Sequence, residues 1–152
     1  MRKIPLISTA LFVAILVFMQ SCEKGNNDTR ISQYGGHSHN SGRNCMGCHY
    51  SGGEGSGWFN IAGTVYDSAG INIYPNTTVY LSTGPNMRGT IVDTLYGNAS
   101  GSFYTTLPVD LTVGLYANIV GTNGTVKSMS TTLTSGACNS CHGVSTNKLW
   151  TY

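Results

Sequence analysis

From residue 57 onward, apolar and polar side chains alternate in short runs. Phe59, Ile61, Gly63 and Val65 alternate with Asn60, Ala62, Thr64 and Tyr66. Val79 and Leu81 alternate in the same way, as do Leu115, Ala117 and Ile119. A period of two is the mark of a strand with one face buried. β-branched and aromatic residues predict further strands at 90–96, 101–105 and 127–133. Turn chemistry separates the runs: Ser68-Ala69-Gly70, Pro75-Asn76, Gly84-Pro85-Asn86, Gly97-Asn98 and Asn123-Gly124. The pattern predicts an all-β fold, an antiparallel β-sandwich or barrel of about six strands, with no helix of useful length. An even number of antiparallel strands returns the chain to the end where it began. The segments before the first strand and after the last are then expected at one pole, and a seventh strand between them would reverse this.

The first residues follow a different pattern. Arg2 and Lys3 precede a mostly apolar run from Ile4 to Met19, which ends at Gln20-Ser21-Cys22. A basic start, an apolar stretch and a small residue before a cysteine predict a lipoprotein signal peptide over 1–21, with Cys22 lipidated. A cut near Ser21 by another peptidase, or an uncut anchor, are the competing readings. All three export the chain. Glu23 after Cys22 is not a strong retention residue, so the expected destination is the outer membrane, on its periplasmic or cell-surface face.

Composition then narrows the class. Only 9% of the chain is charged, against about 25% in a typical soluble domain. The net charge is +2, too small and too scattered for a nucleic-acid footprint. Arg2 and Lys3 leave with the signal, so the mature side chains balance at zero. The mature chain has 131 residues, 152 less 21, enough for one modest core. The division expected is signal peptide 1–21, tether 22–33, first motif-bearing segment 34–57, β-sandwich 58–135 and second motif-bearing segment 136–152.

Those segment names come from two motifs. Cys45-Met46-Gly47-Cys48-His49 and Cys138-Asn139-Ser140-Cys141-His142 both read C-x-x-C-H, the attachment pattern of c-type haem. Two thiols three positions apart reach the two vinyl groups of one porphyrin, and the following histidine ligates the iron. The motifs therefore predict two covalent haem c groups, on Cys45 and Cys48 and on Cys138 and Cys141, with His49 and His142 as axial ligands. A redox dithiol, a four-cysteine zinc site or two disulfides are the alternatives. None of them explains a histidine directly after both pairs.

Each iron has a sixth position. The other two histidines are His37 and His39, in Gly36-His37-Ser38-His39-Asn40. Four histidines for two irons is the inventory of a bis-histidine pair. His39 lies six residues before Cys45, within reach of the first haem, and His37 is the candidate for the second haem or for a neighbouring subunit's. Two residues apart in an extended run share a side, so service to two irons asks for a bend at Ser38. Met46, Met87 and Met129 are the methionine alternatives. Met46 lies inside an attachment loop, and the other two read as a loop and a strand side chain. Glu54, Asp67, Asp93 and Asp110 show no catalytic spacing, so no catalytic residue is assigned and the chain reads as no enzyme.

The paired motifs resemble those of multihaem c-type cytochromes. Gly63-Thr64-Val65-Tyr66-Asp67 with Gly70, Pro75, Val79-Tyr80-Leu81, Asn98-Ala99-Ser100-Gly101-Ser102-Phe103 and Leu107-Pro108 before Gly114-Leu115-Tyr116 resemble carboxypeptidase regulatory-like and transthyretin-like β-sandwich domains. Asn98 stands where that pattern usually has an acidic residue. This second resemblance implies a scaffold and not peptidase activity. Together they imply an exported dihaem cytochrome lipoprotein that transfers electrons to other cytochromes or extracellular acceptors. The alternatives are a homo-oligomeric subunit of a haem-bearing extracellular filament, and a haem enzyme or gas sensor with an open iron.

Overall fold

The computed structural model describes residues 31–152; the predicted signal peptide, the lipidation site Cys22 and most of the tether lie outside the described residues. Seven strands are present: β1 (Ile61–Tyr66), β2 (Thr78–Ser82), β3 (Ile91–Tyr96), β4 (Ser102–Thr105), β5 (Tyr116–Val120), β6 (Val126–Ser128) and β7 (Leu149–Trp150). They form two sheets, in the orders β4-β1-β7 and β3-β2-β5-β6. Every strand pairing is antiparallel apart from β1 with β7, which is parallel. Among the described residues, helix is confined to one turn, α1 (Cys138–Cys141), and two 3-10 turns at Cys45–Gly47 and Leu111–Val113. The class is all-β, and no described helix is long and apolar enough to cross a membrane.

The apolar positions of both sheets meet in one core. Ile61, Val65, Val79, Leu81, Leu95, Phe103, Leu115, Ile119, Leu133 and Leu149 form a single buried cluster, each large side chain contributing about 1.5–3 kcal/mol on burial. Asn118 is the polar exception. It is fully buried, donates to Ser82 Oγ at 2.8 Å, and accepts from the Met87 amide at 2.9 Å and Ser128 Oγ at 2.6 Å. One side chain thus ties β2, β6 and the 83–90 loop to β5, with both ends satisfied as a buried amide requires.

The strand count differs from expectation at β7. This two-residue strand follows the second cysteine pair, in a tail too short to show a period. The 127–133 strand is shorter than its composition suggests, ending at Ser128. Six strands still separate the two cysteine pairs, and both pairs border β1. The Cys45–Gly47 turn and α1 each pack against it.

β1 also departs from simple alternation, since all six of its residues are buried. Alternate residues face opposite ways, and here both faces are covered. The Gly42 amide donates to Thr64 Oγ1 at 2.9 Å, and a Cβ on Gly42 would collide with the Tyr66 hydroxyl. Gly63 faces the core, where a Cβ would stand 2.6 Å from the Phe103 ring and 3.0 Å from Cys138 Cβ. The missing side chain is what lets α1 close on the strand. The end of the predicted tether joins the fold as well: Ile31 bridges Thr105, and buried Ser32 exchanges hydrogen bonds with Tyr104. This gives β4, an edge strand, a partner for its open side.

Candidate functional site

The first motif sits in a glycine-rich loop on the outer face of the β4-β1-β7 sheet. The Cys48 and His49 amides both donate to the Cys45 carbonyl, at 3.2 and 3.0 Å. This tight turn brings the two thiols to one loop, Cys45 half-buried and Cys48 exposed. The chain then curls back on the histidine. His49 Nδ1 lies 3.1 Å from Ser56 O and 3.2 Å from Gly57 O. Facing carbonyls, Nδ1 carries the proton and donates, which leaves Nε2 as the free donor atom of the ring. The loop needs its glycines to pass so close: a Cβ on Gly55 would stand 2.7 Å from the His49 ring.

Aromatic stacking fixes the plane of that ring. His49 stacks on Phe59 at 4.2 Å with 8° between planes, and Phe59 on Tyr104 at 4.4 Å and 17°. His39 stands nearby, with its ring centroid 5.9 Å from that of His49 and 45° between planes. Metal–imidazole bonds of about 2 Å set two rings that grip one ion from opposite faces roughly 6 Å apart between centroids.

The segment carrying His39 is held by the β3–β4 turn. Ala99 N donates to Gly36 O at 2.8 Å, Ser38 N to Ser100 Oγ at 3.2 Å, and Asn98 Nδ2 to Ser38 Oγ at 2.8 Å. Asn98 Oδ1 meanwhile accepts the amides of Ser100 and Ser102, at 2.9 and 3.1 Å. A carboxylate could accept those two amides, but it has no N–H to donate to Ser38. The chain does not bend at Ser38; it bends at His39 and Asn40. His37 stays on the run before that bend and is exposed, so of the predicted distal pair His39 alone is brought to a motif histidine.

The second motif is built into the body of the fold. Ala62 N donates to Gly136 O at 2.9 Å, and Ala62 and Ala137 form a bridge beside it. A Cβ on Gly136 would drive into the Asn60 carbonyl. The single turn α1 follows, closed by the His142 amide on Cys138 O at 2.9 Å. Cys138 packs against the core cluster and Cys141 is exposed. Residues 144–146 fold back onto the Cys141 carbonyl. That return places Asn147 O 2.9 Å from His142 Nδ1, with Thr146 Oγ1 at 3.2 Å. Here too Nδ1 is occupied by a backbone carbonyl and Nε2 is left free.

Beside α1 an apolar cavity of about 80 Å³ opens between the sheets, walled by Val79, Phe103, Ile119, Leu133 and Leu149 and reaching Cys138, Cys141 and His142. Met129 lines it too. In sequence Met129 is a methionine alternative that reads as a strand side chain. The signal that would have found it is Ala117, a small residue between Leu115 and Ile119, which leaves space opposite it.

All four described cysteines are free thiols. Burial pushes the Cys138 thiol up to about 12, and a charge on nearby Cys45 adds to the rise. Burial raises Cys45 as well. Among the described residues no three His, Cys, Asp or Glu side chains converge as a metal cage, the arrangement of a four-cysteine zinc centre. A haem iron takes one protein ligand per face and asks for no such group. Comparison of the chain with protein-family models, curated proteins and solved structures found no match.

Proposed function

We propose that this chain is an exported dihaem c-type cytochrome, anchored by a lipid on Cys22, that transfers electrons outside the cytoplasm and catalyses no reaction of its own. Cys45, Cys48 and His49 would hold one haem, and Cys138, Cys141 and His142 the other. The scaffold between them is a β-sandwich of the carboxypeptidase regulatory-like kind. The observation that carries this reading is the shared orientation of the two motif histidines. Each donates Nδ1–H to a backbone carbonyl of its own loop, the support that metal-ligating imidazoles characteristically have. Two loops of unrelated sequence, 50–57 and 143–147, arrive at the same arrangement. The donor set fits haem: two thiols and one oriented imidazole per motif, with His39 at the spacing of a second ligand to the first iron.

The haem supplies a one-electron couple. The protein's share is to hold each imidazole, to keep solvent from Cys138, and to bring both motifs against β1, so that the two groups lie within one small body. Other cytochromes or extracellular acceptors are the partners of such a carrier. Exposed His37 favours a second reading, in which it ligates a haem of another copy in a filament. Removal of His37 would then abolish assemblies while leaving haem content intact.

The test is expression with a c-type maturation system. Reduced wild type is expected to show a c-type absorbance spectrum. The pair variants Cys45→Ala/Cys48→Ala and Cys138→Ala/Cys141→Ala should each lose half of it. A wild type without that spectrum ends the proposal.

A further inference from the structure

The two motifs offer their irons different surroundings. We propose that Met129 is the sixth ligand of the second haem iron, so that the protein carries one bis-histidine haem and one histidine–methionine haem. This rests on the dihaem reading above and goes beyond it by assigning a ligand and an order of potentials.

The inference starts from the cavity. It is the apolar space that the second motif borders, and its lining includes both attachment thiols and His142. Among its lining side chains, two have atoms that ligate haem iron once the thiols are used in attachment: His142, from the motif itself, and Met129. The others are aliphatic or aromatic groups and hydroxyls. No histidine from outside the motif lines the cavity, His39 stands by His49, and His37 is exposed.

The backbone also fixes Met129 on the wall of that cavity. Its amide donates to Ala117 O at 2.9 Å, which carries the β5–β6 pairing one residue beyond β6. In that register Ile119 opposes Lys127, so Ala117 and Met129 share the inner face with core residue Ile119. Ala117 contributes one methyl there, and the long thioether next to it has room to swing. An uncharged sulfur is the donor an apolar cavity tolerates without a partner.

Methionine in place of histidine raises a haem's reduction potential, and burial is a further lever on it. The second haem is then the higher of the two. In a half-reduced protein the electron rests on the haem of Cys138 and Cys141, and the haem of Cys45 and Cys48 is the one that fills it.

The experiment uses the full haem-loaded chain, wild type and Met129→Leu, a substitution that keeps side-chain volume. Intact mass first counts the haems. With two present, oxidised wild type is expected to show the far-red charge-transfer band of a methionine–iron bond, and its redox titration two separate steps. Met129→Leu should lose the band, shift the upper step alone, and bind carbon monoxide at one haem when reduced. Two haems without that band overturn the assignment and leave the dihaem reading standing. No haem on Cys138 and Cys141 overturns both. If Met129→Leu fails to fold, the wild-type band decides by itself.

Discussion

The same five-residue spacing occurs twice in this chain, and the fold treats the two copies in opposite ways. The first lies outside the β4-β1-β7 sheet, in a loop whose turns depend on glycine and whose histidine is steadied by a stack of rings. The second is seated on the core side of β1, with one thiol packed among the apolar side chains of both sheets. On the haem reading proposed above, a motif of this kind specifies covalent chemistry and one ligand. The neighbours specify everything else: solvent access, the opposite ligand, and how far damage spreads. Thr64 and Gly63 are adjacent in β1, yet one meets the first segment and the other meets Cys138.

This contrast is sharpest at two glycines. Gly136 seats α1 against the backbone of Asn60, where nothing can give way. Gly136→Ala is expected to cost about 3 kcal/mol or more, the upper end for overpacking, and to release the second motif. Gly55→Ala meets a ring at the surface and should cost about 1 kcal/mol, with its effect confined to the first motif. Denaturant titration of both variants checks the order, and equal losses would break the contrast.

Removal of Phe59 probes the outer site in another way. Phe59→Ala takes away the stack on His49 and is expected to cost about 1–2 kcal/mol, the worth of an aromatic contact plus partial burial. Haem content should be unchanged, while the paramagnetic resonance signal of the first haem broadens as its imidazole loses a fixed plane. A variant with an unaltered signal would show that the Nδ1 hydrogen bonds suffice.

Alkali separates the two thiol environments. A thiol raised by burial keeps its proton longer in the folded state than in the unfolded one, so folded protein binds more protons above the ordinary value of 9.0. Stability is then complete below about 9 and falls as pH rises toward about 12. In protein made without haem, Cys138→Ala should remove most of this alkaline slope and Cys45→Ala a smaller part. Thioether-linked protein has no proton to lose at either sulfur and should lack the slope.

The smallest effect expected is at Ser38. Ser38→Ala takes away the acceptor of the Asn98 Nδ2 group and leaves the two amide contacts of Asn98 with the turn in place. About 1 kcal/mol is the usual worth of such a bond. Amide exchange should quicken over 36–41 and stay unchanged at the second motif.

Much of this was legible beforehand. Alternation around Ile61 and Val65, Val79 and Leu81, and Ala117 and Ile119 locates β1, β2 and β5, and β-branched and aromatic runs locate β3 and β4, because each has a face on the core. β7 was not legible: Leu149 and Trp150 pair in parallel with a strand more than eighty positions earlier, and two residues carry no period. The double burial of β1 was hidden because the second cover comes from the segment around Gly42, which reads as loop. His37 and His39 look equivalent in sequence. They part because Ser38 is fastened to the β3–β4 turn and the chain bends only after it. Met129 reads in sequence only as one of three methionine alternatives, because what sets it apart is the space beside Ala117 that opens once β5 and the end of β6 pair.

The account's central claim is that both motifs carry covalent haem. Intact mass of the mature wild-type chain, measured after denaturation in acid, tests it most directly. The prediction is a mass greater than that of the lipidated polypeptide by two haems. A chain that carries no such addition, with its four thiols still open to alkylation, would contradict it.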